Sequence, residues 1–97
     1  MKVSLSDEAI DDARAAAHWY LDQGASAAAD AFFDDIERSI QLLLRYPRIG
    51  TPGVASTRSL RLQTFPHSLV YRVEGEMVRV IAVSAHRRRP GYWLGRR

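Results

Sequence analysis

The residues best suited to chemistry in this 97-residue sequence gather in one place. Behind an apolar run, Val80-Ile81-Ala82-Val83-Ser84-Ala85, stand His86-Arg87-Arg88-Arg89-Pro90-Gly91-Tyr92-Trp93. A guanidinium group grips phosphate or carboxylate through a planar fork, and tyrosine and tryptophan offer faces for stacking. His86 adds an imidazole, a group able to carry a proton to or from a reacting oxygen. Further arginines, Arg58, Arg61, Arg72 and Arg79, lie upstream among residues of alternating polarity. Such a set binds anions; with a base and an acid in reach of one phosphate it can also cleave a phosphodiester.

The remaining titratable residues narrow the chemistry. There are no cysteines, which excludes disulfides and thiolate metal sites, and His18, His67 and His86 lack metal-ligand spacing. Neither a metal nor a cofactor is expected. His18 reads as a helix-surface residue and His67, beside Pro66, as a turn residue. Trp19 and Tyr20 read as packing aromatics, Tyr71 as a face-filling strand residue, and Arg72 as partly engaged with Glu74 or Glu76.

The net charge of +3 hides a division. Residues 1–57 hold five basic groups against nine acidic ones, a net of −4, whereas residues 58–97 hold nine arginines against Glu74 and Glu76, a net of +7. An asymmetry of this size suits a polyanion or an acidic partner facing the second half. Pairing between the two halves, or a solvated arginine face, would account for it internally.

These groups need a scaffold, and the apolar spacing supplies one. Met1–Leu5 alternates as a short strand, and Ser6 caps a helix with Asp7 and Glu8 in its first turn. Ile10, Ala13, Ala17, Tyr20 and Leu21 recur at helical spacing, with Asp11, Asp12 and His18 elsewhere on the wheel; Gly24 ends the helix. Ser26 is placed to cap a second helix, whose stripe is Ala29, Phe32, Phe33, Ile36, Ile40, Leu43 and Leu44. Asp34 and Arg38 form an i,i+4 pair on its outer face, and Pro47 stops it. Residues 48–57 read as a loop. Beyond them the period becomes two, giving three strands around Leu60–Gln63, Leu69–Glu74 and Val80–Ala85, with turns at Pro66-His67 and Glu74-Gly75-Glu76. The prediction is a single α+β domain over residues 1–97, in the order β-α-α-β-β-β: a short N-terminal strand, an antiparallel two-helix hairpin packed on an antiparallel sheet, and a basic C-terminal tail. Nothing approaches the length of a membrane span, and no leader-like segment opens the sequence, so no membrane partner and a cytoplasmic location are expected.

Read in order, Ser6-Asp7-Glu8-Ala9, Tyr46-Pro47-Arg48-Ile49-Gly50, Arg58-Ser59-Leu60-Arg61, Leu69-Val70-Tyr71-Arg72-Val73 and His86-Arg87-Arg88-Arg89-Pro90 resemble the RelE/ParE toxin superfamily over nearly the whole chain. These are the toxin halves of bacterial type II toxin–antitoxin pairs. The resemblance implies one of two activities. RelE-like members enter the ribosomal A site and cut mRNA; on that reading Arg61, Arg72, His86, Arg87 and Tyr92 are the catalytic candidates. ParE-like members keep the scaffold and poison DNA gyrase; on that reading Arg87, Arg88, Arg89, Tyr92 and Trp93 bind the target. Acidic helices would be repelled by ribosomal RNA, which favours the ParE-like reading. The resemblance also implies a cognate antitoxin in a hetero-oligomer, covering Arg58, Arg61, Arg72 and Arg79 with an acidic or amphipathic segment. An inert or nucleic-acid-binding module of the same fold is the remaining alternative.

Overall fold

A computed structural model describes residues 1–97. Its elements follow the predicted order, with one short strand added: β1 (Lys2–Leu5), α1 (Asp7–Asp22), α2 (Ser26–Arg45), β2 (Thr51–Pro52), β3 (Arg58–Arg61), β4 (His67–Glu74) and β5 (Met77–Ala85). The sheet order is β1-β5-β4-β3-β2. Three of its four pairings are antiparallel, while β1 joins β5 in parallel, Lys2 opposite Met77 and Leu5 opposite Val80. The strand β2 lies in the segment expected to be loop. Two residues suffice there, because Pro52 can sit only on an edge and β2 is one.

Helix α1 starts as the sequence implies. The Ala9 amide donates to Ser6 Oγ at 3.1 Å, and Asp7 and Glu8 occupy the first turn. A cap of this kind contributes about 1 kcal/mol. The helix ends on Gly24, whose φ of +72° is costly for any residue with a Cβ. The Gly24 amide then reaches Leu21 O and the Ala25 amide reaches Tyr20 O, the paired bonds of a Schellman turn. That turn runs straight into α2. As a result Ala25, not Ser26, stands at the cap position, and no side chain caps α2.

The buried stripe of α1 is Ala9, Ala13 and Ala17, one face of small residues that lets the helix lie close on β5. Leu21, expected in that stripe, is exposed. Helix α2 buries Ala29, Phe32, Ile36 and Leu43, whereas Phe33 points outward at 45% exposure. With Leu69, Tyr71, Val78, Val80 and Val83 from the sheet these residues form the main core. Each fully buried large side chain contributes roughly 1.5–3 kcal/mol.

One irregularity shapes the opposite face of the sheet. Val70 pairs with Ala82 but Tyr71 pairs with Val80, leaving Ile81 as the extra residue of a β-bulge. Val78 and Val80 before it, and Val83 after it, all belong to the helix-side core. Ile81 and Ala82 instead turn together to the other face, where Val70 joins them under Tyr92 and Trp93. The segment beyond β5 is therefore an ordered strap folded over the second face, not a solvated tail.

Candidate functional site

The strap is held by a carboxylate that the helical wheel had placed off the apolar stripe. Strand β1 ends opposite Val80, so the next stretch of β5 has no neighbouring strand on that side. Its backbone groups must find other partners. Asp12, on α1, accepts from the Val83 amide at 3.1 Å, and Arg96 Nη1 donates to Ile81 O at 3.1 Å. The same Asp12 carboxylate takes Arg96 Nη1 at 2.7 Å and the Tyr92 hydroxyl at 3.0 Å. Its side chain is 8% exposed and that of Arg96 is 19% exposed, so this is a largely desolvated ion pair with its hydrogen bonds met.

The ionisation of these groups follows from the contacts. Burial, then the neighbouring Asp12 charge, raises the Tyr92 pKa, so its phenol keeps its proton as a hydrogen-bond donor. The hydrogen bond to Asp12 raises the pKa of Arg96. Arg88 lies 3.7 Å over the Tyr92 ring, and its guanidinium approaches Asp12 at 3.9 Å. Arg87 sits 5.6 Å over the ring of Trp19, which is half exposed. Arg87, Arg88 and Arg89 are thus presented outward, on a segment whose Tyr92 and Trp93 rings pack inward.

The strand arginines divide into engaged and free. Arg72 Nε donates to Ala55 O and its Nη1 to Arg96 O, both at 2.9 Å. The expected ion pair with Glu74 or Glu76 does not form; the guanidinium donates to loop and strap carbonyls instead. Arg58 donates to Arg48 O and Gly50 O, and Arg79 to Ser4 Oγ. Arg61 alone of the four has no hydrogen bond or ion pair, and it lines a cleft of about 540 Å³ with Ser59, Ser68 and His86. Of the five residues of the ribonuclease reading, Arg61 and His86 share this cleft. Arg72 and Tyr92 are tied to the strap, and Arg87 lines a different groove.

That second groove, of about 470 Å³, runs between α1 and the end of β5 past Ala15, Trp19, Val83 and Arg87. His67 lies at its base. It is no turn residue: it opens β4, is 7% exposed and packs on Phe32 with ring centroids 4.9 Å apart. Its Nδ1 is buried without a partner. Burial foremost, then the charges of His86 and Arg87, lowers its pKa. Trp19 and Tyr20 both line this groove and meet edge to face at 5.2 Å; Tyr20 also packs on Phe32 and Phe65, while Trp19 is half exposed.

On α2 the outer ion pair differs from expectation. Arg38 meets Asp35 at 3.3 Å instead of Asp34, and Asp35 is 1% exposed. Its oxygens accept from the Gln63, Thr64 and Phe65 amides at 3.2, 2.8 and 3.3 Å, which closes the β3–β4 connection. His18 lies on the helix surface beside Asp22, and Tyr71 fills the helix-side face, its hydroxyl accepting from the Gly50 amide. No group of three or more His, Cys, Asp or Glu side chains is arranged to hold a metal, and no helix is long and apolar enough to cross a membrane.

Comparison with known proteins agrees with this architecture. The family model described as "ParE toxin of type II toxin-antitoxin system, parDE" matches residues 3–90. No curated protein matches significantly. Among solved structures, a chain from the chromosomal ParDE TA system of P. aeruginosa superposes with a TM-score of 0.77 at 22% identity, covering 88% of this chain and 95% of that one. At that identity the likeness establishes the fold.

Proposed function

Because the chain belongs to the ParE toxin family of type II toxin–antitoxin systems, we propose that it arrests growth by inhibiting DNA gyrase and that a cognate antitoxin neutralises it. The observation that carries this reading is the family match over residues 3–90, joined to an outward row of arginines on an ordered strap. Arg87, Arg88 and Arg89 are positioned to meet an acidic surface or gyrase-held DNA, with Tyr92 and Trp93 as the anchors behind them. Inhibition of this kind requires no proton-transfer set. The alternative, ribosome-dependent mRNA cleavage, would bring Arg61, Arg72, His86, Arg87 and Tyr92 around one phosphate; Arg72 and Tyr92 are instead engaged by Arg96 and Asp12, which favours gyrase. The acidic helices weigh the same way.

The antitoxin on this reading is acidic and amphipathic. Trp19, Phe33 and Ile49 are each at least 45% exposed and give it apolar footholds, while Arg58, Arg61, Arg72 and Arg79 give it charge. A toxin acting on gyrase works in the cytoplasm as a hetero-oligomer with that antitoxin until released. Purified gyrase with relaxed plasmid and ATP tests the reading. Loss of supercoiling or accumulation of cleaved plasmid is the expected result. Unchanged supercoiling at several-fold molar excess of folded protein would overturn it and make the ribosome the next target to assay.

A further inference from the structure

A groove opens where β5 outruns its neighbour. Strand β1 ends opposite Val80, so the edge of β5 beyond it is unpaired, and α1 borders that edge with the small side chains of Ala15 and Ala16. The missing strand and the missing side-chain bulk together leave about 470 Å³, a volume within the range of small-molecule sites. Helix α1 also supplies Trp19 and Tyr20 to the lining, and the sheet side supplies Val83, Ala85 and Pro66. Much of this edge is already capped. Asp12 holds the Val83 amide, Arg96 holds Ile81 O, and the Arg88 amide holds Ala85 O at 3.0 Å. In an antiparallel pair alternate residues turn their amides to the same edge, so Ala85, two residues beyond Val83, presents its N–H along the groove. No side chain meets that amide. Arg87 stands at the same end, 5.6 Å over the Trp19 ring and without an ion pair. The acidic lining residues do not oppose it: Asp12 is engaged by Arg96, and Asp11 lies eight residues before Trp19, about 12 Å along the helix.

We propose that this groove binds a small aromatic carboxylic acid, its ring against Trp19 and the alanines and its carboxylate between the Arg87 guanidinium and the Ala85 amide. The two parts of the groove set this chemistry. Its body is apolar and aromatic, with His67 at the base kept neutral by burial, so a flat uncharged ring fits there. Its Trp19 end carries a planar cationic fork and a backbone donor, which suit a planar carboxylate. An extended peptide is a poor occupant. Pairing as a strand needs a run of free backbone groups, and Asp12, Arg96 and Arg88 already hold the Val83 amide, Ile81 O and Ala85 O. The step is binding alone, and no bond is made or broken. Trp19 is also a foothold offered to the antitoxin above, yet the free acid needs neither antitoxin nor gyrase, so its failure and the failure of gyrase inhibition are separate results.

Titration of the purified chain with naphthoate, followed by NMR at the Trp19 indole and the Ala85 amide, tests the assignment. Both signals should shift together and saturate with a Kd of about 1 mM or tighter, the affinity open to a ligand of about thirteen heavy atoms. Naphthamide, the same ring without the charge, should bind about tenfold more weakly, the loss expected for a charge-assisted fork. Arg87→Ala should weaken naphthoate by the same factor and leave naphthamide unchanged, with Arg87→Lys in between. Ala15→Leu should fill the groove and abolish binding while the rest of the spectrum stays native, since leucine is well tolerated in a helix. Arg14→Ala removes an exposed charge from α1 outside the groove and should change affinity less than about twofold. A capped peptide with one phenylalanine between glutamates represents a protein partner and should bind no better than naphthamide. Equal binding of naphthoate and naphthamide, shifts with the peptide but not with naphthoate, or unchanged affinity in Ala15→Leu would overturn the assignment.

Discussion

Asp12 should be the residue whose loss most damages the strap. Its carboxylate holds the Val83 amide, the Tyr92 hydroxyl and both terminal nitrogens of Arg96, while its own side chain is 8% exposed. Asp12→Ala leaves Arg96, 19% exposed, without its counter-charge and leaves Val83 N–H without an acceptor. Removing one partner of a buried ion pair costs about 3–5 kcal/mol. Arg96 retains Ile81 O and some water, so the lower end, about 3 kcal/mol, is the expected loss. For a domain of this size that lowers Tm by roughly 12–24 °C. Arg96→Ala should cost less, about 1–2 kcal/mol, because the remaining carboxylate keeps two donors, the Val83 amide and the Tyr92 hydroxyl, with the Arg88 charge 3.9 Å away. Urea and thermal melts of the two single variants and the double variant give the coupling directly. The double variant should be more stable than the sum of the single losses implies, by at least about 1 kcal/mol. Hydrogen exchange at residues 81–83 and 92–96 should rise in Asp12→Ala before exchange elsewhere. A loss under about 0.5 kcal/mol, or no coupling, would refute the latch, since that is the range of ordinary surface substitutions.

Two further outcomes follow from buried polar groups. Asp35→Ala should destabilise by about 3 kcal/mol, because it strands three amides at Gln63, Thr64 and Phe65; Asp35→Asn, which keeps an acceptor, should lose less, and equal melts for the two would argue against the amide cradle. His67 has a folded pKa below its unfolded value of about 6.5, so its contribution to stability is complete above that pH and is lost as pH falls through the folded pKa. His67→Leu should therefore flatten the decline in stability from about pH 7 to pH 5, measured by urea titration at each pH. An unchanged slope would show that other groups set the acid limb.

Much of the scaffold was legible because it is written in local periodicity. The Ser6 cap, the Gly24 stop, the α2 stripe and the alternation of Leu69, Tyr71 and Val73 each state their conformation within a few residues. What escaped depends on partners far along the chain. Asp12 and Asp35 look like two more surface carboxylates on amphipathic helices, and only the meeting of Asp12 with Arg96, or of Asp35 with residues 63–65, makes them interior. The bulge at Ile81 was hidden for another reason. In a run as uniformly apolar as Val80–Val83 neither face is marked, so a one-residue change of parity leaves no trace. The strap was underestimated because three arginines dominate its composition, while its order comes from Tyr92, Trp93 and Arg96 packing behind them.

The division of charge can now be assigned. If the acidic and basic halves served to neutralise each other, the nine arginines of residues 58–97 would be paired with helix carboxylates. Only Arg88 and Arg96 are, and both share Asp12. Arg58, Arg72 and Arg79 are absorbed by carbonyls and a hydroxyl, which leaves their charge unbalanced. Arg61, Arg87, Arg89 and Arg97 have no carboxylate at all. The positive field of the sheet face and strap is therefore not cancelled within the molecule, which sets aside internal pairing and leaves an acidic partner or a solvated arginine face to account for it. Tyr92 and Arg96 fall beyond residues 3–90, the span that matches the ParE model. The scaffold is thus the family's, while the latch that aims Arg87–Arg89 draws on residues outside the matched span. Exchanging residues 91–97 for a flexible Gly/Ser segment should leave the core folded and weaken the gyrase inhibition proposed above more than Arg89→Ala alone. Inhibition unaffected by that exchange would mean that the arginines act without being aimed.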